Sequence, residues 1–437
     1  MRISYEKQIL ANGLEVIVHS DRSCPIVAVN LWYHVGSKNE QLGRTGFAHL
    51  FEHLMFEGSS HHDRGYFAPL QEAGGALNGS TNADRTNYWE VVPTGALERV
   101  LWMESDRMGF LLPALTPEKF ETQRKVVLNE RRQNYENRPY GMVTMVLMPA
   151  LFPAGHPYRW NTIGEPSDLM AASFNEVRQF FSTFYHPGNA SLVLAGDIDV
   201  VQGFDLVERY FGPIPKGPPR PSVDVSDTPM DCEQRLLLED RIDLPRVYLS
   251  WRSPALFGKG DAGLDLLATI LTAGKSSRLY QRLVRDKKLA LDVSAGQSSR
   301  EIDGIFSIVA TAVPGGSLAE IEKVISDELY RLQHDGPTDD EVERSKMMVE
   351  ADFAYRLQSL GDFGGRSDQL NAYNVYLDDP GYFDADLARY LRMDSASIQS
   401  LAQSYLTEQR RVVLSVIPVG ADSAIGLPHS TRTVVGS

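Results

Sequence analysis

Four landmarks in this chain recur at nearly one spacing, and that recurrence limits its fold more than any other feature. Trp32 and Trp251, Pro93 and Pro314, Thr116 and Thr338, and Tyr185 and Tyr405 stand 219, 221, 222 and 220 positions apart. Their surroundings repeat too. Val27–Trp32 (VAVNLW) is echoed by Arg246–Trp251 (RVYLSW), and Val92–Leu97 by Val313–Leu318. Thr116-Pro117-Glu118 is echoed by Thr338-Asp339-Asp340, and the strand after Tyr185 by Arg411 to Ile417. A near-constant offset implies two copies of one α+β unit. A chain of 437 residues is also too long for one hydrophobic core. Between the copies, Pro213, Pro215, Pro218, Pro219 and Pro221 crowd a stretch with little apolar content, as in a semi-extended linker. The expected organisation is an N-terminal domain over 1–210, a linker over 211–235 and a C-terminal domain over 236–437. The expected fold class is α+β: two homologous α/β-sandwich-type domains enclosing a cavity.

The copies are chemically unequal. Gly46 to Gly58 reads GFAHLFEHLMFEG, and His49, Glu52 and His53 share one helical face because i, i+3 and i+4 do. Thr45 is placed to cap this helix and Gly58 to end it. Phe47, Leu50, Phe51, Leu54 and Met55 remain for packing. Two neutral imidazoles one turn apart can hold a divalent metal, and a carboxylate beside them can take a proton from a metal-activated water. The alternative is a solvated helix face. The apolar flanks argue against it, since burying three titratable groups without a partner is costly. The matching helix of the second copy, Leu264 to Leu271 (LDLLATIL), has no His or Glu. The chemistry therefore belongs to the first half, and the second is a wall, a lid or a gripping surface.

Leu14–Val18 and Ile26–Tyr33 read as strands, as do Leu77–Asn82 and Thr86–Pro93. Helices are expected over Phe67–Ala73, Ala96–Phe110, Ala171–Tyr185 and Glu320–Leu332. Thr116-Pro117-Glu118 is a helix start, with a cap, a proline in the first turn and an acid after it. The helix it opens should run to about Tyr135. A catalytic metal needs a third protein ligand and an open position. On that helix Glu121, Gln123, Glu130 and Glu136 are on offer.

HLFEH, FETQRKVVLNERRQ, GALNGSTNADRTNYWEVVP, YHPGNASLVLAGD and the duplicated halves together give a resemblance over nearly the whole chain. The chain resembles the pitrilysin/insulinase family of HxxEH (inverzincin) zinc metallopeptidases, especially its short bacterial, mitochondrial-processing-peptidase-like branch. The resemblance implies zinc as cofactor and a third ligand on a separate later helix. Glu130, 77 positions past His53, stands at the matching place. His49, His53 and Glu130 would then be the ligands and Glu52 the general base. Gln123 stands where many relatives carry a further glutamate; its amide could at most hydrogen-bond a ligand or water, and it reads rather as plain helix surface.

Asn78-Gly79-Ser80-Thr81 matches the family's strand beside the zinc, to which a peptide is expected to add through main-chain hydrogen bonds. Asn78 could there orient the scissile carbonyl. On the residues alone, Asn78-Gly79 reads as a turn. Family members also draw an arginine and a tyrosine from the second half. In the matching stretch, Leu283 to Asp292, Leu291 stands in the tyrosine's place, and the arginine's place falls near Val284. Arg278 and Tyr280 have different spacing and read as helix surface. The missing pair implies a homologous partner subunit in a heterodimer; otherwise a homodimer is expected. The function implied is zinc-dependent endopeptidase, and the alternative is a non-catalytic scaffold subunit of the same fold.

The net charge of −14 argues against nucleic acid as a general partner. No run of 18 apolar residues exists, so no membrane-spanning helix is expected. The N-terminal stretch shows no basic region followed by an apolar block, which leans towards a cytoplasmic protein, or a periplasmic one if an export signal has been removed. Cys24 and Cys232 form neither a metal motif nor a disulfide framework. His156, His186 and the pair His61-His62 read as loop residues.

Overall fold

The computed structural model describes residues 2–225, 228–422 and 425–433. The first half of the chain runs β1 (Glu6–Ile9), β2 (Glu15–Ser20), β3 (Ile26–Tyr33), α1 (Phe47–Leu54), α2 (Phe67–Glu72), β4 (Ala76–Thr81), β5 (Thr86–Pro93), α3 (Leu97–Ala114), α4 (Pro117–Arg131), α5 (Val143–Leu151), α6 (Pro166–Ala171), α7 (Phe174–Phe184), β6 (Ala190–Gly196) and α8 (Val200–Phe211). The second runs β7 (Gln234–Asp240), β8 (Arg246–Ser253), α9 (Asp261–Thr272), β9 (Ala290–Ser299), β10 (Gly304–Ala312), α10 (Leu318–Asp335), α11 (Asp339–Arg356), α12 (Arg366–Leu377), α13 (Phe383–Leu391), α14 (Ser395–Tyr405), β11 (Arg411–Pro418) and β12 (Thr431–Thr433). Among the described residues no helix is long and apolar enough to cross a membrane.

Each half builds a six-stranded sheet, and the two share one topology. The first has the order β1-β2-β6-β3-β5-β4 and the second β12-β7-β11-β8-β10-β9. The parallel pair β2 and β6 is matched by β7 and β11, with antiparallel neighbours beyond them. The sheets differ at the rim, where β1 pairs antiparallel and β12 parallel. The duplication read from the spacing is thus present in five strands of each sheet. β3 shows why the local sequence folds as it does. IVAVNLWY is almost continuously apolar, as a strand covered on both faces must be, and it lies between β6 and β5 with all but Ile26 buried.

The compact units are not the contiguous halves 1–210 and 236–437. One unit comprises Met1–Arg131, Trp160–Asp224 and Asp352–Ala385; the other comprises Arg132–Arg159, Val225–Ala351 and Asp386–Ser437. The halves have exchanged a segment. α12, from the second half, packs on β6 and β3 of the first sheet, while α5, from the first half, packs on β11 and β8 of the second. α5 and α12 begin 223 positions apart, close to the repeat spacing, so the exchange is itself part of the repeat.

α12 docks through amides as well as through buried Leu370 and Tyr373. Asn371, fully buried, donates from Nδ2 to the Asn30 carbonyl at 2.8 Å and to Asn30 Oδ1 at 3.0 Å, and its Oδ1 accepts from Ser191 Oγ at 2.7 Å. Asn374 donates to Glu15 at 2.6 Å, and Trp32 Nε1 donates to Asp368 at 3.0 Å. Removing one member of such a network leaves its partners unsatisfied. Asn371→Ala is expected to lower the stability of the first unit by about 1–3 kcal/mol in denaturant unfolding. A change under about 0.5 kcal/mol would mean that these bonds do not hold the helix on the sheet.

Candidate active site

α1 is eight residues long, and Phe47, Leu50, Phe51 and Leu54 are buried as its pattern requires. Its N-terminus departs from expectation. Thr45 does not cap it. The residue before the helix is Gly46, at φ 90°, and the first amides are taken by a side chain from outside. Glu40 accepts from Gly46 N and Ala48 N, both at 2.9 Å. Burial pushes this carboxyl up to about 8 against those backbone donors. Thr45 instead donates from Oγ1 to Asp168 at 2.7 Å and accepts from Glu165 N at 2.9 Å.

α4 is capped as its sequence implies, with Lys119 N donating to Thr116 Oγ1 at 3.2 Å. It stops at Arg131 and gives way to a π-helical turn, Arg132–Glu136, rather than running on to Tyr135. Of the acids offered by this helix, Glu130 meets α1. Its Oε2 lies 3.6 Å from His49 Nε2 and 3.3 Å from His53 Nε2. The imidazole centroids are 4.8 Å apart with ring planes at 85°. Ligand atoms about 2.1 Å from one ion, arranged tetrahedrally, stand about 3.4 Å from each other. One ligand atom from each of the three residues lies within 4.8 Å of the others, so the set fits a divalent metal.

The electrostatics agree with the geometry. Burial, helped by the neighbouring His53, pushes His49 down to about 4, so its imidazole is neutral as a ligand must be. Burial alone would lower His53 as well, but its hydrogen bond to Glu130 and the charges of Glu52 and Glu130 outweigh that and hold it above its ordinary value. The acids thus favour a positive charge at the point where the three side chains converge. Burial raises Glu52, against a hydrogen bond from Thr81 and the positive charges of His53 and Arg85. A carboxylate raised by burial is suited to accept and return a proton.

β4 is the edge strand beside α1, and among the described residues only β5 pairs with it. Asn78-Gly79 is not the turn its residues alone read as. Asn78 and Gly79 lie in β4, opposite Trp89 and Tyr88. Phe56 explains the glycine, since a Cβ there would stand 3.1 Å from the rings of Phe56 and Tyr88. Asn78 is exposed, and its Oδ1 accepts from Gly79 N at 2.8 Å. Ser80 is already engaged: its Oγ donates to Asn87 at 2.7 Å, and its carbonyl accepts from Arg85 at 2.9 Å.

Several side chains depart from their sequence readings. Gln123 is not helix surface. It is 8% exposed and donates to Glu57 at 2.6 Å. Arg278 is not surface either, but half-buried and paired with Glu341 at 2.6 Å. Leu291 is 51% exposed, and Val284 packs on the second core. His61, His156 and His186 do lie in loops as read, His61 exposed and bonded to buried Asp106, His156 and His186 buried. Glu40, Thr45 and Asp168 were missed as supports of the site. Glu40 lies outside capping range in sequence and Asp168 is 123 positions from Thr45, so no local pattern marks them.

Two family models match. Residues 15–157 match Insulinase (Peptidase family M16), and residues 171–349 match the Peptidase M16 inactive domain. The zinc protease PqqE of Helicobacter pylori is 28% identical over 419 residues, covering 95% of this chain and 93% of that protein. The crystal structure of a protease from Helicobacter pylori superposes with a TM-score of 0.88 at 27% identity, over 95% of this chain and all of the other. The peptidase M16 inactive domain structure from Pseudomonas fluorescens shares the fold, with a TM-score of 0.83 at 18% identity over 96% of this chain and 99% of that one. With M16 models over residues 15–157 and 171–349 and HxxEH within the first, the chain belongs to the insulinase-type peptidase family M16.

Proposed function

We propose that this chain is a zinc-dependent endopeptidase acting on peptides or unfolded segments, with His49, His53 and Glu130 as zinc ligands and Glu52 as general base. The observation that carries this is the convergence of Glu130 Oε2 on both imidazole Nε2 atoms, at 3.6 and 3.3 Å, with Glu52 on the same helix face. Zinc, when bound, supplies the Lewis acidity that makes water a nucleophile near neutral pH and polarises a carbonyl. Glu52 takes the proton of the attacking water and delivers it to the leaving amine. β4, with an edge unpaired among the described residues and lying beside α1, offers main-chain groups for an extended substrate, and Asn78 and Gly79 lie on it. Main-chain pairing is indifferent to most side chains, which suits a broad peptidase. The completeness of the set disfavours the scaffold alternative, because a scaffold needs no general base.

Glu52→Gln is expected to keep about one zinc per chain and to lose peptide turnover by about 10²–10⁴-fold, read by metal analysis beside a quenched-peptide assay with and without chelator. Turnover near the normal rate would remove Glu52 from the role.

The second half lacks the family's arginine and tyrosine at the matching places, where Leu291 and Val284 stand. We place that pair on a homologous partner chain. The purified single chain is then expected to bind zinc and cleave slowly, and to gain activity on mixing with such a homologue. Full activity of the chain alone would count against a borrowed pair.

A further inference from the structure

We propose that the turn from Asn161 to Asp168 is a gauge that sets the distance between the helix bearing His49 and His53 and the helix bearing Glu130. The affinity for zinc would then depend on Thr45, Gly164 and Arg131, none of which reaches the metal. This rests on the ligand set proposed above.

The two histidines share α1, so helix geometry fixes their spacing. Glu130 is on α4, where direct contacts with α1, and Gln123 donating to Glu57 just past it at 2.6 Å, act beside the turn. The turn touches both helices. At its α1 side, Asp168 Oδ2 accepts from Thr45 N at 3.1 Å and from Thr45 Oγ1 at 2.7 Å, and Glu165 N donates back to Thr45 Oγ1 at 2.9 Å. At its α4 side, Arg131 Nη1 donates to the Gly164 carbonyl at 2.7 Å, and Nη2 lies 3.3 Å from Glu165 Oε2. Arg131 is the last residue of α4 and the chain neighbour of Glu130. It is 1% exposed, and a buried guanidinium with a hydrogen-bonding partner is hard to displace. Consecutive helix residues point about 100° apart. One end of α4 therefore sends Glu130 to the imidazoles and Arg131 to the turn.

The contact between turn and helix is backbone on backbone. Gly164 has φ 77°, and a Cβ on it would lie 2.5 Å from Gly46 Cα and 2.7 Å from Gly46 N. A Cβ on Gly46 would in turn lie 3.0 Å from Gly164 Cα. Gly46 is the residue that opens α1. Any side chain at 164 must push the start of the histidine helix away from the turn that holds α4. The turn is anchored from outside as well, with Trp160 Nε1 donating to the Ser37 carbonyl at 2.8 Å. The Glu40 caps fix the same helix start from another direction, so displacement at the turn is not easily absorbed there.

The test measures the dissociation constant of Zn²⁺ alone, by competition with a chromogenic chelator, on the full chain. Gly164→Ala and Thr45→Val are expected to weaken Zn²⁺ binding about 10–100-fold, the range typical when outer partners of a metal site are lost. Thr45→Ser, which keeps the hydroxyl, should stay within about threefold of the native protein. A core truncation remote from the turn, Val193→Ala on β6, serves as the stability control. It should lower the thermal midpoint of the metal-free protein without weakening Zn²⁺ binding. The gauge is overturned if both turn variants bind Zn²⁺ as the native protein does. It is equally overturned if Val193→Ala weakens binding as much as they do. Should Gly164→Ala not fold, the Thr45→Val and Thr45→Ser pair decides alone. If the native protein binds no Zn²⁺, or His49→Ala binds it equally well, the ligand assignment itself fails, which is a different result from failure of the gauge.

Discussion

Three titratable side chains from two helices have to meet in a largely buried place, and the first unit is arranged around that requirement. Burying charge without a partner is costly. Here the cost is offset within the cluster of His49, His53 and Glu130 itself, since the acid on α4 stabilises positive charge on or between the imidazoles. That explains the opposite shifts on two histidines of one helix. His49 is the more deeply buried and is driven neutral; His53 keeps its hydrogen bond to Glu130 and is held above its ordinary value. A cation at the meeting point satisfies both tendencies. The same logic accounts for Gln123, an amide buried against Glu57 where another carboxylate would add negative charge to a site that already has Glu52 and Glu130.

The sheet topology explains how such a site is kept in register. α1 follows the central strand β3, and β4 lies at the sheet edge beside α1, so the edge and the two histidines belong to one framework. The exchanged helices close the other side of that framework. α12 reaches back from the second half to cover β3 and β6, and it does so with asparagines whose bonds to Asn30 and Ser191 demand one orientation. An apolar face would tolerate a slide along the sheet; paired amides do not. Each half thus covers the other's sheet.

How far the sequence speaks depends on where each element's packing information lies. β3 and β5 have the bounds read from their apolar runs, and α1 the expected face, because each contacts its core through an ordinary periodic pattern. The duplication was legible because spacing survives divergence. The exchange was not. α5 reads VTMVLMPAL, apolar on nearly all sides and with a proline near its end, so no helical period stands out. α12 is misleading in the opposite sense, since its buried face includes Ser367, Gln369, Asn371 and Asn374, residues that a hydropathy pattern assigns to solvent. The capping error at Thr45 has a similar origin. A local rule placed the cap at Thr45, two residues before the helix, but Glu40, six residues upstream of Gly46, took the amides and freed Thr45 for a partner far along the chain. At the site, His49, Glu52 and His53 were visible as a motif because they are local. Glu130 needed the family resemblance to be chosen among its neighbours.

The second copy shows what the scaffold does without the chemistry. Its helix α9 starts after Gly260 (φ 94°) as α1 does after Gly46 (φ 90°), 214 positions on, which puts Gly263, Leu266 and Leu267 where the first copy has His49, Glu52 and His53, and its last turn carries Thr269 and Thr272. Neither hydroxyl is left free. Thr269 Oγ1 donates to the Asp265 carbonyl at 3.0 Å and Thr272 Oγ1 to the Ala268 carbonyl at 3.2 Å, while Thr272 Oγ1 also accepts from Ala295 N of β9 at 2.8 Å. Short hydroxyls that turn back onto their own helix need no ion and no matching acid from a neighbouring helix. Helix and strand therefore stay together in both copies by different means. In the second, a threonine bonds directly to the edge strand. In the first, Thr81 of the edge strand bonds to Glu52, and the cluster of His49, His53 and Glu130 is closed by a side chain from outside α1.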